Sequence, residues 1–468
     1  MSGIVTPMTT LAEMCTEADK VRCRAGNALG DAIVADIYTN AEQIARTVIT
    51  QQTENPSTWD AKLDDILTSR LFGYPIMLAL LGMVFWLTIE GANVPSSLLA
   101  DAFFAFQDQL TAWFALAGAP AWLHGVLVLG LYRGLAWVIS VMLPPMAIFF
   151  PLFTLLEDLG YLPRVAFNMD SFFKKCKACG KQALTMCMGF GCNAAGIVSC
   201  RIIDSPRERL IAILTNNFVP CNGRFPTLIA IATIFVGGSV ASEYETLVAA
   251  FTITGLVLLG IAATFVISWT LSHTILKGEP SSLVLELPPY RPPQIGAIIY
   301  RSLIDRTFFV LKRAVIMAAP AGAITWILGN VYIGDMSILS HLANWLQPLG
   351  YAIGIDGFIL LAFILGLPAN EIVVPILIMS YLSTGQMMEF ESLEELREIL
   401  FSHGWTWLTA VCSMLFCLLH WPCTTTLLTA YKESGSVKWT LLSFLIPTVV
   451  AFAVCFVVAQ SARGLGLA

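Results

Sequence analysis

The chain has 468 residues, of which 57% are hydrophobic and only 12% are charged, and its formal net charge is −6. An ordinary soluble domain carries about 25% charged residues, so this composition excludes a soluble globular protein and indicates a polytopic membrane protein. The sequence contains no basic run, which argues against a nucleic-acid partner. Twelve cysteines are present, and we interpret them as mostly reduced thiols because most lie in apolar segments.

The first seventy residues are more polar than the rest of the chain. Residues 1–70 hold ten acidic and six basic side chains. One helical face would carry Ile33, Ile37, Ala41, Ile44 and Val48. This spacing predicts a packing helix in a cytoplasmic segment. A phosphate-binding G-x-x-x-x-G-K-[ST] loop is absent from the sequence, so nucleotide binding by that device is not expected.

Nine later segments are apolar enough to be membrane candidates. They cover about residues 75–92, 135–157, 181–200, 209–237, 244–274, 315–330, 357–383, 405–430 and 439–461. The loops 158–181 and 275–314 are rich in Lys and Arg. Because basic loops are enriched on the cytoplasmic side, both loops are predicted to be cytoplasmic.

The segment 181–200 conflicts with this topology, because Arg201, Arg207 and Arg209 follow it directly. A re-entrant hairpin that turns at GFGCN removes the conflict. Irregular backbone inside a membrane is tolerated only where protein or a water-filled cavity surrounds it, so the turn is expected to line a site. The next segment, 209–237, is predicted to be a crossing that NNFVPCNGRFP interrupts, since its prolines and glycine break a helix.

An internal repeat relates the two halves of the chain. Glycine and asparagine lie four apart in GFGCN, at Gly189 and Asn193, and again in GLPANE, at Gly366 and Asn370. A Pro-Cys pair follows each motif, with Asn-to-Cys spacings of 28 and 53 residues. The excess lies around MMEFESLEELREILFSHG, which we interpret as a loop. The basic loops predict that the halves are inverted, and such repeats hold a transporter's ligand at their interface.

The side chains at these breaks form a candidate cation site. They are Cys192, Asn193, Cys221, Asn222, Asn370, Glu371 and Cys423. Thiols with amide and carboxylate oxygens suit Fe²⁺, Zn²⁺, Mn²⁺ or a similar ion better than Mg²⁺ or Ca²⁺. An acid inside a membrane segment usually faces a cavity or a partner.

Each candidate has a structural alternative. Cys221 and Cys423 could be packing residues beside helix-kinking prolines, the asparagines could cap broken helices, and Glu371 could pair with a structural partner. Cys176 and Cys179 have the spacing of half a zinc site, but no second pair completes it.

Several motifs together resemble one known family. GFGCN, VPCNGRFP, LLEDLGYLPRVAFNMD and SHGWTWLTAVCSMLFCLLHWPC are similar to the membrane region of the bacterial ferrous-iron transporter family FeoB, with its two Gate domains. The similarity runs from about residue 30 to about residue 460. It implies an all-α polytopic membrane protein with about 8–10 membrane segments and two inverted Gate-type repeats that contain re-entrant or broken helices.

The resemblance also implies a division of the chain. The expected parts are a cytoplasmic helical segment like the end of the family's spacer (1–70), a first membrane helix with an amphipathic extracytoplasmic segment (71–132), the first Gate repeat (133–275), a basic cytoplasmic loop (276–314), and the second Gate repeat with the C-terminal membrane helices (315–461).

The implied function is import of Fe²⁺ across the bacterial inner membrane by a multi-pass permease with a cytoplasmic N-terminus. Cys192, Cys221 and Cys423 match the cysteines of the family's iron path. The implied activity is transport and not catalysis. The family's GTP-binding domain is expected on a separate chain or on a part missing from this one, and a small FeoA-like protein and a homo-oligomer are further expected partners.

Two departures from the family pattern affect the site. The family usually continues GFGCN with Val-Pro, whereas Ala194, Ala195 and Gly196 follow here. The family often has Lys before the glutamate of the second motif, where Asn370 stands. The main alternative is a Gate-domain transporter of nucleosides or another organic solute. A non-transporting scaffold and a membrane enzyme are less favoured, since no nucleophile and base stand at recognisable spacing.

Overall fold

The computed structural model describes residues 16–17, 20, 29–48, 58–69, 71–239, 245–278, 290, 292–383, 385 and 393–466. These ranges are almost entirely helical. The exception is an antiparallel ribbon of two short strands, β1 (Tyr332–Ile333) and β2 (Met336–Ser337). The predicted all-α fold class is therefore confirmed.

The helices are numbered in chain order. They are α1 Leu29–Val48, α2 Thr58–Leu67, α3 Gly73–Leu116, α4 Ala121–Asp158 with an internal π-helical stretch, α5 Tyr161–Lys175, α6 Lys181–Gly191, α7 Asn193–Ser199, α8 Pro206–Thr215, α9 Phe225–Ile231, α10 Glu245–His273, α11 Ile295–Asn330 with an internal π-helical stretch, α12 Ile338–Ala352, α13 Gly357–Leu365, α14 Val373–Leu382, α15 Leu393–Ser402, α16 Trp407–Leu419, α17 Thr424–Ser434 and α18 Val437–Gly464.

Seven helical stretches in the described ranges are long and apolar enough to cross a bilayer. They are Gly73–Leu116, Ala121–Asp158, Pro206–Val236, Val248–His273, Ile295–Asn330, Trp407–Ser434 and Val437–Gly464. The pair α12 and α13 is apolar enough to count as an eighth, but it is bent by 109°. This count agrees with the lower end of the predicted range of membrane segments.

The first membrane helix is longer than the sequence pattern predicted. A crossing at 75–92 followed by a separate amphipathic segment was expected, but α3 runs without a break through Pro95 for 44 residues. At 1.5 Å per residue such a helix is about 66 Å long, roughly twice the hydrocarbon thickness of a bilayer. Much of α3 must therefore extend beyond one straight crossing.

Helices α6 and α7 form the first predicted hairpin. The Lys181 ammonium, at the start of α6, lies 2.5 Å from a carboxylate oxygen of Asp204, which follows α7. Cys179 and Cys200, at the two ends of the segment, are buried in the same apolar cluster. Both ends of the hairpin therefore lie on one side, which confirms that this segment is re-entrant.

Helices α13 and α14 form the second hairpin in the same way. Asp356 caps α13 by accepting a hydrogen bond of 2.6 Å from the Ile359 amide. Its other carboxylate oxygen accepts a hydrogen bond from the hydroxyl of Tyr381, at the end of α14. A polar contact thus holds the first and last residues of this hairpin together as well.

The broken span formed by α16 and α17 shows that the hairpins enter from opposite sides. Just before this span, the Trp405 indole donates to the hydroxyl of Tyr381 at 2.9 Å, beside the open end of the second hairpin. Near its end, Glu433 forms an ion pair of 2.7 Å with Arg201, beside the open end of the first hairpin. The two repeats are therefore inverted.

Two sequence interpretations differ from the structure. The stretch interpreted as a loop contains α15, because Leu396 and Leu400 recur at helical spacing and bury one face, each with 2% exposure. Its first residues, 387–392, lie outside the described ranges. The predicted packing face of α1 is not packed, and Ile44 and Val48 are 64% and 74% exposed. The remaining residues of the segment 1–70 lie outside the described ranges apart from 16–17, 20 and 58–69.

Helix α2 is attached to the membrane part through Arg164. This buried guanidinium donates to both oxygens of Asp64, at 3.0 and 3.2 Å. The Tyr290 hydroxyl donates to Asp64 at 2.6 Å, and the Tyr290 ring lies 4.3 Å below the guanidinium carbon. The hydrogen bonds from Arg164 hold the pKa of the Asp64 carboxyl below its ordinary value.

Candidate functional site

The two hairpins turn with the same backbone conformation. Cys192, between α6 and α7, has φ −154° and ψ 125°. Ala369, between α13 and α14, has φ −153° and ψ 120°. An asparagine follows each of these extended residues and begins the next helical turn. The internal repeat is therefore present in the backbone, and Ala369 occupies the position of Cys192 in the second half.

The two Pro-Cys breaks are equivalent in the same sense. Cys221 has φ −84° and ψ 167°, and Cys423 has φ −64° and ψ 160°. Each cysteine follows a proline, which removes one main-chain donor and ends the preceding helix. Helical structure resumes directly afterwards, at Asn222 and at Thr424. The different spacings in the sequence thus lead to the same local structure.

These four breaks surround one small cavity of about 30 Å³. Its walls include all seven residues that the sequence singled out, namely Cys192, Asn193, Cys221, Asn222, Asn370, Glu371 and Cys423. Met142 and Met146 of α4 and Thr425 and Thr426 of α17 also line it. The structure therefore brings together residues from both repeats that lie far apart in the sequence.

The carboxylate of Glu371 has no cationic partner among the described residues. The carboxylate lies against Gly223, where an added Cβ would be 2.0 Å from Oε1 of Glu371. The glycine thus makes room for the acid at the cavity wall. The main-chain oxygen of Glu371 accepts a hydrogen bond of 3.4 Å from the Trp137 indole, which fixes the break against α4.

Two oxygen atoms at the cavity are buried without a hydrogen-bond partner among the residues that the structure describes. They belong to the Asn370 side chain (Oδ1) and the Thr425 hydroxyl. Buried polar atoms are rarely left unpaired, so a cation or a water in the cavity would satisfy them. A further polar contact joins the Cys423 thiol and the Thr426 hydroxyl at 3.3 Å.

Asn193 differs from Asn370 because protein groups already engage it. Its amide lies within reach of the carbonyls of Gly189 and Val219, at 3.1 and 3.2 Å, or of the Asn217 side chain at 3.3 Å. Its main-chain oxygen accepts a hydrogen bond of 3.0 Å from Asn216. The side chain of Asn193 is thus well placed to stabilise the turn.

The glycine of the unusual Ala-Ala-Gly sequence after the first turn, Gly196, has a packing reason. The Asn216 side chain lies between α6 and α7, where an added Cβ at Gly189 or Gly196 would approach it to 2.9 or 2.6 Å. Glycine at both positions therefore allows the asparagine to enter the hairpin and bond its backbone.

Arg224 is a central residue that the sequence reasoning missed. It is fully buried and donates to the main-chain oxygens of Asn217 and Leu418 at 2.9 and 2.8 Å. It also donates to those of His420 and Trp421, each at 3.1 Å. The sequence could have indicated Arg224, because a charged residue within a broken membrane segment usually has a specific role. The same reasoning identified Glu371.

The cavity is not a closed coordination shell. Within the described residues, no three His, Cys, Asp or Glu side chains are placed to hold one metal ion. Cys176 and Cys179 likewise belong to no such group of three among the described residues. The cavity wall carries thiol, amide and carboxylate groups from both repeats.

Inverted, broken hairpins around a buried cavity define a polytopic membrane protein of the Gate class. The family model for Gate, described as nucleoside recognition, matches residues 139–235 and 311–437. The model described as the C terminus of ferrous iron transport protein B matches residues 253–305. Taken together, the two matches show that the chain resembles the FeoB family over its two Gate regions and its C terminus.

Relatives in three organisms show the same similarity. The chain is 29% identical over 433 residues to the Fe(2+) transporter FeoB of Staphylococcus aureus strain MSSA476, covering 90% of this chain and 61% of the relative. It is 28% identical to the proteins of the same name from Methanocaldococcus jannaschii, with 91% and 62% covered, and Synechocystis, with 94% and 69% covered. No solved structure matches the chain.

Proposed function

We propose that this chain is the membrane component of a ferrous-iron transporter and that the ion passes through the cavity between the four breaks. The supporting observation is the convergence of Cys192, Cys221 and Cys423 with Glu371 and the unpartnered Asn370 oxygen on one cavity. The relatives named as Fe(2+) transporters agree with this substrate. Because the chain spans about 61% of the first relative's length, the substrate is a proposal for this chain.

The donor set suits a borderline divalent ion. Thiols release a proton when they bind a metal ion, and sulfur together with oxygen donors favours Fe²⁺ and its neighbours over Mg²⁺ or Ca²⁺. Glu371 supplies the fixed negative charge. We propose Cys192, Cys221, Cys423, Asn370 and Glu371 as ligands along the path, with Asn222 at its wall and Asn193 holding the turn.

The inverted hairpins suggest how the path would open. The first hairpin has its open end beside Glu433, and the second has its open end beside Tyr381, so each faces a different side. Movement of one repeat against the other would expose the cavity alternately, as in other transporters with inverted repeats. Lys181 with Asp204, and Tyr381 with Asp356, would keep each hairpin intact during this movement.

Control of the path is proposed to come from outside this part of the chain. A GTP-binding domain, on a separate or connected chain, would act on the end of the molecule where α2 is bound through Arg164. The same proposal places this end and the N-terminus in the cytoplasm of a bacterium, with the helices in its inner membrane. A small FeoA-like protein and a second copy of the chain are further proposed partners.

The test is anaerobic Fe²⁺ uptake into proteoliposomes. The triple variant C192A/C221A/C423A is expected to lose most uptake. The matched control, C179A/C412A/C455A, removes three other thiols that do not line the cavity and is expected to keep it. Equal uptake by the wild type and C192A/C221A/C423A would disprove the thiol path, while uptake of uridine without uptake of Fe²⁺, Mn²⁺ or Zn²⁺ would disprove metal transport.

Nucleoside transport is the second candidate, because the Gate model carries that description. The cavity volume argues against it in this conformation, since about 30 Å³ holds about one or two water molecules and is far too small for a nucleoside. Uptake of labelled uridine by the same proteoliposomes decides between the two. Uridine uptake without metal uptake would favour this second candidate.

A further inference from the structure

A second, larger cavity of about 480 Å³ lies between α7, α11 and α17. Most of its polar lining is basic, with Arg201, Arg306, Arg313 and Lys432 against a single acid, Glu433. Apolar side chains complete its walls, and Val310 lines both this cavity and the cysteine cavity. We call this space the basic vestibule.

Existing ion pairs satisfy only half of these cations. Arg201 binds Glu433 through two hydrogen bonds of 2.7 Å. Arg306 reaches outside the lining to Glu157 at 2.9 Å. Among the described residues, no carboxylate pairs with Arg313 or Lys432 at ion-pair distance. The vestibule therefore keeps two positive charges that form no ion pair with a carboxylate of the described residues.

Arg313 is held in place by neutral groups, and no carboxylate among the described residues lies within ion-pair distance of it. One of its terminal nitrogens donates to the Thr429 hydroxyl at 2.7 Å, and its guanidinium carbon lies 4.0 Å from the centre of the Phe309 ring. A guanidinium fixed in this way has further N–H groups to offer. Because its planar fork matches the spacing of phosphate oxygens, a phosphate group is the anion that would suit this guanidinium.

We propose that the basic vestibule binds a phosphate group through Arg313 and Lys432, with Arg201 and Arg306 adding positive potential. Basic pockets between membrane helices at the end where basic loops gather are suited to anionic phospholipid headgroups, and a soluble phosphate compound offers the same group. The bound phosphate would contact the first hairpin, α11 and α17 together. It would thereby link the first hairpin to two elements of the second half of the chain.

The position of the vestibule gives this phosphate a consequence for cations. A divalent ion leaving the cysteine cavity past Val310 would meet two positive charges that are in no ion pair. A phosphate neutralises them and so removes a barrier on that side. This consequence rests on the proposed transport function, whereas phosphate binding itself does not, and the test below measures binding alone.

The test is binding to the purified full chain after lipid removal. One arm adds dioleoyl phosphatidylglycerol, with dioleoyl phosphatidylcholine as the neutral lipid, and the other adds inorganic pyrophosphate. The measurements are the dissociation constant and the thermal unfolding midpoint. We expect tight binding and a raised midpoint in at least one arm, and the arm that responds identifies the source as lipid or soluble phosphate.

The variant R313Q/K432Q is expected to weaken this binding about tenfold or more, since each charge-assisted hydrogen bond contributes strongly. The variant K175Q/K277Q removes two exposed positive charges outside the vestibule and is expected to bind as the wild type does. R313K/K432R keeps both charges and should bind more tightly than R313Q/K432Q, which separates charge loss from misfolding. Equal affinity of R313Q/K432Q and the wild type, or no binding in either arm, would overturn the proposal.

Discussion

The guanidinium of Arg224 donates through Nη2 to the main-chain oxygen of His420 at 3.1 Å. The bond ties the break of one span to the break of its counterpart in the other repeat. The carbonyls of Leu418 and Trp421 accept from the same guanidinium, so that unwound backbone of the second repeat surrounds a buried cation of the first. The contact between the two broken spans at the cavity therefore depends strongly on the side chain of Arg224.

The first prediction concerns the geometry of this residue. Arg224→Lys keeps the charge but cannot reach all the acceptors, because an ammonium has one nitrogen instead of a planar fork. At about 1–3 kcal/mol for each buried group left unpaired, we expect the free energy of unfolding to fall by at least about 2 kcal/mol, with Fe²⁺ uptake strongly reduced. Thermal unfolding in detergent and uptake in proteoliposomes measure the two effects. Arg397→Lys on α15 is the control, and an unchanged midpoint for Arg224→Lys would refute the proposed role.

The second prediction tests the space around Glu371. Gly223→Ala places a methyl group where Oε1 of Glu371 now lies, so the carboxylate must leave its position at the cavity wall. Uptake is expected to fall to the level of Glu371→Gln, about tenfold or more below the wild type if one charge-assisted contact is lost. The double variant should be no worse than either single variant, since both remove the same group. Gly255→Ala, where an added methyl group has open space, should transport normally; additive losses in the double variant would contradict this coupling.

The third prediction tests why glycine follows the first turn. Gly196→Ala forces a methyl group to within 2.6 Å of the Asn216 side chain, and such overpacking costs about 1–3 kcal/mol. Asn216→Ala removes the obstacle, so the double variant should be destabilised by less than the sum of the single variants. Unfolding midpoints of the three proteins give this coupling energy. Gly82→Ala, with open space around it, serves as control, and strict additivity would show that the two positions do not interact.

The fourth prediction concerns pH and the attachment of α2. The pKa of Asp64 is lowered in the folded protein by its hydrogen bonds from Arg164. The stabilisation is therefore fully present above the unfolded value near 3.8 and is lost as the pH falls through the lower folded value. Asp64→Asn should cost about 3 kcal/mol at pH 7, because it leaves Arg164 buried without its anion.

This difference should shrink as the pH falls below the unfolded value near 3.8, because the unfolded carboxyl is then protonated while the folded one still has to be ionised. Unfolding midpoints of the wild type and Asp64→Asn at pH 7 and pH 3 provide the measurement. Asp65→Asn, next to it on α2, is the matched control and should follow the wild type at both values. A constant difference between the wild type and Asp64→Asn across this range would show that the ion pair is not its source.

The sequence predicted the breaks because their causes are local. Glycine and proline end helices wherever they stand in an apolar segment, and the motifs around Asn193 and Asn370 repeat in letters as well as in backbone angles. Positively charged loops predicted which ends of the hairpins lie together. The prediction that α1 is a packing helix was wrong for the described residues, where its apolar face is exposed. An apolar stripe predicts a buried face, but it does not show which part of the protein would cover that face.

Composition and local patterns therefore determined that this is a polytopic helical protein with two repeats of broken helices, and which side chains stand at the breaks. Only the tertiary structure decided that these side chains line one cavity, that Glu371 meets no cation among the described residues, and that Arg224 holds the two spans together. The acceptors of Arg224 lie as far as 197 positions away and are main-chain oxygens. Since every residue has such an oxygen, no residue type in the sequence marks them, and only the folded chain shows which ones meet the guanidinium.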